Sequence, residues 1–406
     1  MTPLEVADPG PGEVVLRVDV AGLCHSDLHI IDGMAARAAR PGNVFKPFAL
    51  SHEIGGTVLA VGAGVDSVQV GKQYVLYPWL GCGGCIQCTD PASDEVFCMG
   101  REMTPALASR TFGTGENGGF ASHLLVPDAK YLVDPGNCPM PLAATCKCSR
   151  NLHRASITRD ISESSLVTTD TCSGLTAYSA VRKCSLAMQG ATSSPTGAGR
   201  SILIIGAGGL GLHGIGWSKI LTEAKVIVAE PDATKHPAAY EAGADVVLDT
   251  SGDDALTLLK DATGGGPHCV IDFVGMPATS NMGRDAMRKG GTQVQVGLFG
   301  GETSFDVGGF ATAHKHLMVS RSTQAILTAA CGPWRFLRDS LRLQGNFVGT
   351  LDEFKELMEY VKSGAKKEIP VETRPIEMAN DVVADLRAGT IIGRCVLTHA
   401  PREPSL

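Results

Sequence analysis

The spacing of hydrophobic residues changes near residue 175 and divides the chain into two regions with different predicted architectures. In the first region, valines cluster or alternate between glycines over residues 12–21 and 56–68, as is typical of short strands joined by tight turns. In the second region, short apolar runs alternate with stretches that can form helices. Because strands that alternate with helices usually form a parallel sheet, we expect a β-rich region followed by an α/β region.

The second region contains the most clearly defined elements. Its apolar runs predict strands at residues 201–205, 225–229, 245–248, 269–274 and 292–298. Apolar side chains at helical spacing, followed by Gly364, predict a helix over residues 351–363. A final strand is expected over residues 390–397.

Length, composition and charge narrow the possible classes of function. A chain of 406 residues exceeds what one hydrophobic core usually supports, so two domains are expected. With 44% hydrophobic residues, 19% charged residues and a net charge of -7, an ordinary globular protein that does not bind nucleic acid is expected. The sequence shows neither a secretory leader nor an apolar run of membrane length, so we expect a cytoplasmic protein without a membrane partner. Its 13 cysteines should then be thiols or metal ligands.

Four closely spaced cysteines give the strongest chemical signal: Cys82, Cys85, Cys88 and Cys98. Two-residue gaps allow successive thiolates to face one centre, and this spacing is typical of a tetrahedral zinc site. An iron–sulfur cluster also takes four thiolates, and a Cys-x-x-Cys pair can be redox-active. Both alternatives stay open at this point.

A glycine-rich turn follows the predicted strand at residues 201–205 and precedes a stretch that can form a helix. Its residues are Gly206, Ala207, Gly208, Gly209, Leu210 and Gly211. In a dinucleotide site, such glycines allow a tight turn, a close approach of the pyrophosphate, and close packing of helix on strand. Glu230 ends the next strand, where an acidic residue binds the ribose hydroxyls and repels a 2′-phosphate, so NAD is predicted. A purely structural turn is the alternative.

Three further segments combine thiol, imidazole, hydroxyl and carboxylate groups: Gly22-Leu23-Cys24-His25-Ser26-Asp27-Leu28-His29, Ser51-His52-Glu53-Ile54-Gly55-Gly56 and Cys172-Ser173-Gly174-Leu175-Thr176-Ala177-Tyr178. With the four cysteines and the glycine turn, the chain resembles the zinc-dependent alcohol dehydrogenases of the medium-chain dehydrogenase/reductase superfamily over nearly its whole length. The resemblance implies an α/β fold class, with a GroES-like β-rich catalytic domain plus a Rossmann coenzyme domain built on a doubly wound parallel sheet. The implied ranges are 1–175 for the zinc-binding catalytic domain, 176–320 for the NAD-binding domain, and 321–406 for the return to the catalytic domain.

The resemblance also implies roles for individual residues. Cys24, His52 and Cys172 would hold a catalytic zinc ion, and the four closely spaced cysteines would hold a structural one, so that each chain carries two zinc ions. The implied catalytic residues are Ser26 and His29 as a proton relay, Asp27 as the group that orients His52, and Glu53 as the acid behind the metal. The further implied NAD contacts are His25 and Arg394 at the pyrophosphate, Lys235 near the adenosine ribose, and Val296.

The implied activity is oxidation of a primary or secondary alcohol to an aldehyde or ketone, with hydride transfer to NAD. The expected partner is therefore a small alcohol or aldehyde, and the family implies a homodimer or homotetramer. One alternative is a polyol or sugar dehydrogenase of the same superfamily. The other is a catalytically inactive zinc-bound homologue disrupted by insertions.

Two segments interrupt the family pattern, at residues 146–171 and 320–343. Our hypothesis is that both are translated introns or other gene-model errors, and the rival hypothesis is a pair of genuine surface insertions. The first segment contains Cys148, which competes with Cys172 as the third ligand of the catalytic zinc. Cys172 is preferred because only this residue is followed by the helix that the family uses.

Overall fold

The computed structural model describes most of the chain, in separate ranges. These are residues 7–38, 47–90, 93–98, 111–136, 170–189, 199–302, 316–319, 346 and 348–399. Residues 146–169, including Cys148, and residues 320–343 lie outside these ranges. The origin of the two insertions therefore stays a prediction, whereas Cys172 can be placed.

Strands and helices are numbered here in chain order. The strands are β1 (Val14–Leu23), β2 (Glu53–Val61), β3 (Gln73–Leu76), β4 (His123–Val126), β5 (Leu132–Val133), β6 (Ser201–Ile205), β7 (Lys225–Ala229), β8 (Val246–Leu248), β9 (Cys269–Asp272), β10 (Thr292–Gln295), β11 (His316–Val319), β12 (Val371–Pro375) and β13 (Arg394–Thr398). The helices are α1 (His25–Ala38), α2 (Ile86–Thr89), α3 (Leu175–Gln189), α4 (Gly209–Leu221), α5 (His236–Ala242), α6 (Ala255–Ala262), α7 (Pro277–Ala286), α8 (Leu351–Lys362) and α9 (Ala379–Ala388). Among the described helices, none is long and apolar enough to cross a membrane.

Strand β1 is at the centre of a seven-stranded sheet with the order β12-β13-β1-β2-β3-β5, and β4 pairs with β1 as well. The side chains of β1 alternate between buried and half-buried along its first part, and the last four are all buried. Strand β13 pairs antiparallel with the end of β1, with Leu23 opposite Cys395. The C-terminal part of the chain thus completes the sheet that the N-terminal part begins.

The second sheet has six parallel strands in the order β11-β10-β9-β6-β7-β8. Every residue of β6 and β9 is buried, as expected for central strands of a sheet that packs helices on its faces. Leu203, Ile227 and Val270 belong to one core cluster, together with Leu259 of α6. The order reverses beside β6, and in such a sheet the carboxyl ends of the strands at that point form a ligand crevice. The predicted α/β fold class is confirmed.

Two predicted strands end earlier than their apolar runs. Strands β9 and β10 stop at Asp272 and Gln295, not at residues 274 and 298. For β9 the reason lies in Asp272, whose Oδ1 accepts hydrogen bonds from the N–H groups of Val274 at 2.9 Å and Gly275 at 3.0 Å. A side chain that captures the next backbone donors turns the chain away from the sheet.

The described residues form two compact units. The first contains the described residues up to Cys172 together with 350–365 and 370–399, and the second contains those within 173–349 together with 366–369. The sequence places these boundaries after residues 175 and 320. The second unit extends beyond residue 320 because Asn346 is buried and accepts a hydrogen bond from the Ser179 hydroxyl of α3 at 3.1 Å.

Ser51 links the start of β2 to the end of β1 in an unusual backbone conformation. It has a φ of 73° although it is not glycine, and it is fully buried. Its N–H donates to Asp27 Oδ1 at 3.2 Å, its hydroxyl donates to the Gly22 carbonyl at 2.8 Å, and its own carbonyl accepts from the Gly119 N–H at 2.8 Å. The left-handed conformation costs a residue with a Cβ roughly 1–2 kcal/mol, so these bonds must hold the residue in place.

His268 joins the starts of two central strands of the second sheet. The imidazole Nδ1 of His268 accepts a hydrogen bond from the Ser201 backbone N–H at 3.1 Å. The backbone N–H of His268 donates to the Ser201 carbonyl at 3.0 Å. Partial burial, together with the positive charges of Arg288 and Arg200, lowers the pKa of His268 to about 4. The neutral ring is also required by the geometry, because a protonated Nδ1 cannot accept this bond.

At Ser51, replacement by glycine should destabilise the protein less than replacement by alanine, which is the reverse of the usual order. Ser51→Ala removes the hydroxyl bond and keeps the conformational cost, so we expect a loss of about 1–3 kcal/mol in the free energy of unfolding. Ser51→Gly removes both, so its loss should be smaller by roughly 1 kcal/mol. Urea denaturation tests this order. The buried helical Ser179 is a matched control, at which glycine should be the more damaging of the two substitutions.

The pKa of His268 predicts a dependence of stability on pH. The unfolded imidazole titrates near pH ~6.5, so between about pH 4 and 6.5 the unfolded chain binds more protons than the folded one. The stabilising contribution is therefore complete above pH ~6.5 and is lost as the pH falls toward 4. In urea titrations, His268→Gln should show a flatter fall of unfolding free energy over this range than the wild type. Identical slopes for the two proteins would contradict the assignment.

Candidate metal centres and cofactor loop

The three predicted catalytic zinc ligands come from separate segments and meet at one buried site. Cys24 directly follows β1, His52 directly precedes β2, and Cys172 lies in a π-helical turn over Asp170–Gly174 just before α3. Antiparallel pairing sets Gly22 opposite Glu53 and so brings the first two ligands side by side. The donor atoms of Cys24, His52 and Cys172, with a carboxylate oxygen of Glu53, all lie within 4.8 Å of one another. The structure therefore places Cys172 in this cluster.

The buried carboxylate of Asp27 binds the backbone beside two of these ligands. Its carboxylate accepts a hydrogen bond from the Cys24 N–H at 2.9 Å, in addition to the bond from Ser51. Its Oδ1 also lies 3.7 Å from His52 Nδ1, while His52 Nε2 lies 3.2 Å from Cys24 Sγ. At 3.7 Å the Asp27 carboxylate lies beyond hydrogen-bond distance of His52 Nδ1, so its predicted role in orienting the ring stays a prediction.

The pKa values of Cys24, Cys172 and His52 indicate that the site stabilises positive charge. The hydrogen bond from Cys172 lowers the pKa of Cys24 well below its usual value, with a further contribution from His52. The same bond, together with burial, raises the pKa of Cys172. Burial alone would lower the pKa of His52, but the Cys24 thiolate and Asp27 raise it to about 10. Protons thus occupy positions among the sulfurs where a cation would be stabilised, and a metal ion would replace them.

Glu53 and Arg394 form a buried ion pair in the same unit. Burial raises the pKa of Glu53 to about 7 against the opposing effect of Arg394. Burial would lower the pKa of Arg394, but the Glu53 carboxylate raises it. Within the described residues, Glu53 Oε2 has no hydrogen-bond partner. Two thiols, an imidazole and a nearby carboxylate fit zinc, which takes three such protein ligands when one position stays open for substrate.

The four closely spaced cysteines also converge. Their sulfurs lie within 4.8 Å of one another, with Cys85 Sγ 3.5 Å from Cys88 Sγ and 3.8 Å from Cys98 Sγ, and with Cys82 Sγ 3.9 Å from Cys88 Sγ. These separations exclude disulfide bonds and match the edges of about 3.8 Å of a tetrahedron with zinc–sulfur bonds near 2.3 Å. An iron–sulfur cluster would hold the sulfurs farther apart, because several ions would lie between them. The geometry therefore favours a single metal ion.

The glycine-rich turn has the form that a pyrophosphate requires. Gly206 follows β6 directly and has a φ of 91°, and a Cβ at Gly211 would lie 1.9 Å from the Gly206 carbonyl oxygen. Gly208 is the N-cap of α4, and a Cβ there would meet no atom within 4 Å, so this side of the turn has room for a ligand. Helix N-termini stabilise phosphate groups. The residues present therefore fit NAD.

Glu230 lies at the end of β7, beside this turn. Its carboxylate accepts hydrogen bonds from the Ala207 N–H at 2.7 Å and from the Asp232 N–H at 3.0 Å. Lys235 forms an ion pair with Asp232 at 3.4 Å. The structure thus brings the acidic residue to the turn that the sequence predicts it should serve.

The remaining residues predicted for catalysis or NAD binding differ in their exposure to solvent. His25 and His29 are exposed on α1, and Ser26 is half-buried between them, with its N–H donating to Cys24 Sγ at 3.3 Å. Val296 is buried after β10, and Gly209 and Leu210 begin α4. Arg394 is paired with Glu53, a contact that sequence reasoning missed because the two residues are far apart in the chain. Ser51 was also missed, since no sequence signal marks a serine with positive φ.

Comparisons with known proteins agree with this geometry. Residues 10–135 match the Alcohol dehydrogenase GroES-like domain family, and residues 209–363 match the Zinc-binding dehydrogenase family. A protein named NAD-dependent alcohol dehydrogenase from Sulfolobus acidocaldarius is 28% identical, over 97% of this chain and 94% of its own length. An L-threonine 3-dehydrogenase from Pyrococcus furiosus is also 28% identical, over 75% of this chain and 73% of its own length.

Solved structures show the same fold. The alcohol dehydrogenase of Aeropyrum pernix aligns with a TM-score of 0.72 at 25% identity, over 98% of this chain and 95% of that one. Acetophenone reductase from Geotrichum candidum, solved in complex with NAD, aligns with a TM-score of 0.68 at 26% identity, over 97% and 91%. On its two domain matches, its zinc-fitting side-chain clusters and its glycine-rich turn, this chain belongs to the zinc-dependent alcohol dehydrogenase family of the medium-chain dehydrogenase/reductase superfamily.

Proposed function

We propose that this chain oxidises a primary or secondary alcohol to the aldehyde or ketone, with NAD as the hydride acceptor. The observation that carries the proposal is the convergence of Cys24, His52 and Cys172, with Glu53, in one buried cluster. Three relatives that align over 97% of this chain are named NAD-dependent alcohol dehydrogenase, which supports the same activity. The position of Cys172 favours an active enzyme over the inactive homologue.

When bound, zinc supplies a Lewis acid that lowers the pKa of an alcohol hydroxyl, and NAD supplies the acceptor of the hydride. The chain's own residues do the rest. We assign Asp27, whose carboxylate lies 3.7 Å from His52 Nδ1, to orienting the imidazole ring, and the Ser26 N–H to stabilising the Cys24 thiolate. Glu53 and Arg394 keep a balanced pair of charges beside the thiols.

Ser26 and His29 are proposed to carry the proton of the alcohol to solvent. Ser26 follows Cys24 by two residues and is half-buried, and His29 lies about one turn farther along α1 and is exposed. A hydroxyl near the buried site followed by an imidazole at the surface gives the proton a route to water. We assign His25, Arg394, Lys235 and Val296 to NAD binding by family resemblance.

Zinc content, cofactor preference, cellular location and assembly are proposed from the same family. We propose two zinc ions per chain, one at the catalytic cluster and one at Cys82, Cys85, Cys88 and Cys98. Glu230 favours NAD over NADP, because its carboxylate would repel a 2′-phosphate. A cytoplasmic location and a homodimeric or homotetrameric assembly are also proposed.

The activity is tested by following NADH absorbance with a panel of primary alcohols, secondary alcohols, polyols and L-threonine. Turnover with simple alcohols is expected, and Cys24→Ala should abolish it. A preference for polyols would support the alternative within the superfamily. No turnover by a zinc-loaded, NADH-binding protein would contradict the proposed activity.

Metal analysis should separate the two zinc sites. The ligand sets predict about two zinc ions per wild-type chain, so Cys24→Ala and Cys98→Ala should each retain about one. The first variant should lose alcohol oxidation and keep the metal site at Cys82, Cys85, Cys88 and Cys98 intact. The second should fall chiefly in thermal stability, because a closed four-thiolate site contributes folding energy and offers no position to substrate. A Cys24→Ala protein that keeps both ions would rule out the assignment.

Replacement of Glu230 should weaken discrimination between the two cofactors. Glu230→Gln removes the charge and keeps the shape, so hydrogen bonds to a ribose lose about 1.5–3 kcal/mol and the KM for NAD should rise about 10–100-fold. The KM for NADP should change much less, since a repulsive charge has also been removed. Initial rates with each cofactor give the ratio. Asp253→Asn, which alters an exposed acidic residue of the same unit, is the control and should leave that ratio unchanged.

A further inference from the structure

A buried carboxylate at the edge of the second sheet has no role in the function proposed so far. Asp272 is the last residue of β9 and is fully buried. Besides its bonds to the next turn, its Oδ2 accepts hydrogen bonds from the Thr279 hydroxyl of α7 and from Gln295 Nε2 of β10, each at 2.9 Å. One side chain thus joins β9, the turn at residues 273–276, α7 and β10.

This turn lies against the glycine-rich loop. If Gly206 carried a Cβ, that atom would lie 2.7 Å from Val274 Cγ2, so the Val274 side chain occupies the space beside the first glycine of the loop. Both donors that Asp272 Oδ1 binds belong to this turn, and one of them is the N–H of Val274 itself. The carboxylate therefore sets where Val274 sits relative to Gly206.

The turn also fixes the segment that follows β10. A Cβ at Gly275 would lie 2.0 Å from the Gly297 carbonyl oxygen, so the two backbones are in direct contact. The Phe299 N–H donates to the Val274 carbonyl at 3.3 Å, and the Gly300 N–H donates to the Gly275 carbonyl at 3.1 Å. Asp272 thereby holds the turns after both β9 and β10, at the edge where a doubly wound sheet binds its ligand.

We propose that Asp272 is a positioning residue for NAD, which sets the width of the cofactor crevice through Val274 and Gly275 and uses Gln295 as its support. This inference rests on the proposed function. Asp272 does not touch the cofactor, because both of its oxygens are occupied by donors of the protein. A carboxylate suits the position, since four donors and no acceptor face it. An asparagine would turn an amide N–H₂ toward two of those donors.

The chain offers a matched pair of glutamines to test the proposal. Gln293 and Gln295 are both buried on β10, and only the amide of Gln295 reaches Asp272. The amide of Gln293 instead donates to the Ser280 carbonyl at 3.2 Å, with a longer contact of 3.4 Å to Gln295 Oε1. Leucine at either position removes one buried amide of the same size, so a purely structural effect should be similar for both.

The experiment measures the Kd of NADH by fluorescence titration of the full-length zinc-loaded protein, alongside urea denaturation and metal analysis. Asp272→Asn should raise the Kd about tenfold and Gln295→Leu by a smaller factor, because misplaced walls of a site weaken binding without loss of a direct contact. The zinc content should stay at the wild-type value, and kcat at saturating NAD should change little. Gln293→Leu should leave the Kd within about twofold even where its stability loss equals that of Gln295→Leu.

Equal Kd values for Gln293→Leu and Gln295→Leu, whether both shifted or both unchanged, would overturn the positioning role. That result would leave the proposed function intact, because the wild-type protein would still bind NADH. Failure of the wild-type chain to bind NADH would instead overturn the proposed function and this inference with it. If Asp272→Asn does not fold, the glutamine pair still decides between the two outcomes.

Discussion

The pairing of β1 with its neighbours is the constraint on which the candidate zinc site depends. Strand β1 lies between β2 and β13, so that Gly22 faces Glu53 and Leu23 faces Cys395. The residues just past these pairs are Cys24, His52 and Arg394, which are far apart in the chain. Backbone hydrogen bonds of the sheet therefore bring Cys24 and His52 side by side, with Arg394 beside them, before any metal is bound.

The cost of this arrangement is a group of buried charges. Asp27, Glu53 and Arg394 are almost completely excluded from water, and burial raises the pKa of Asp27 to about 6 against the opposing effect of His52. Buried charges are tolerated only when they are paired and hydrogen-bonded. Here Asp27 takes backbone donors from two segments, and Glu53 pairs with Arg394. The same groups leave the thiols and the imidazole in an environment that stabilises a cation.

The second unit uses a buried carboxylate for a different purpose. At Asp272 there is no cationic partner among the hydrogen bonds that the structure describes, and the four donors are two backbone N–H groups, a hydroxyl and an amide. Burial raises the pKa of Asp272, while these donors lower it. Such a group holds geometry, because each donor must stay in place for the charge to remain solvated.

The fold class and one of the two candidate metal sites could be predicted from local patterns in the sequence. Alternation of apolar runs with helical stretches indicated the parallel sheet, and the spacing of Cys82, Cys85, Cys88 and Cys98 indicated their metal site, because both signals are contained within short segments. The helix at Leu351–Lys362 was also indicated by a local signal, and Thr350, just before it, forms a capping box with Glu353.

Contacts between distant segments depended on the tertiary structure. The tertiary structure paired Glu53 with Arg394, held Ser51 in the left-handed region and shortened β9 at Asp272. It also brought together Cys24, His52 and Cys172, a ligand set that family resemblance had implied. The physical reason is that residue spacing specifies only what one segment can do, whereas these contacts depend on strand register and on which buried polar groups find partners.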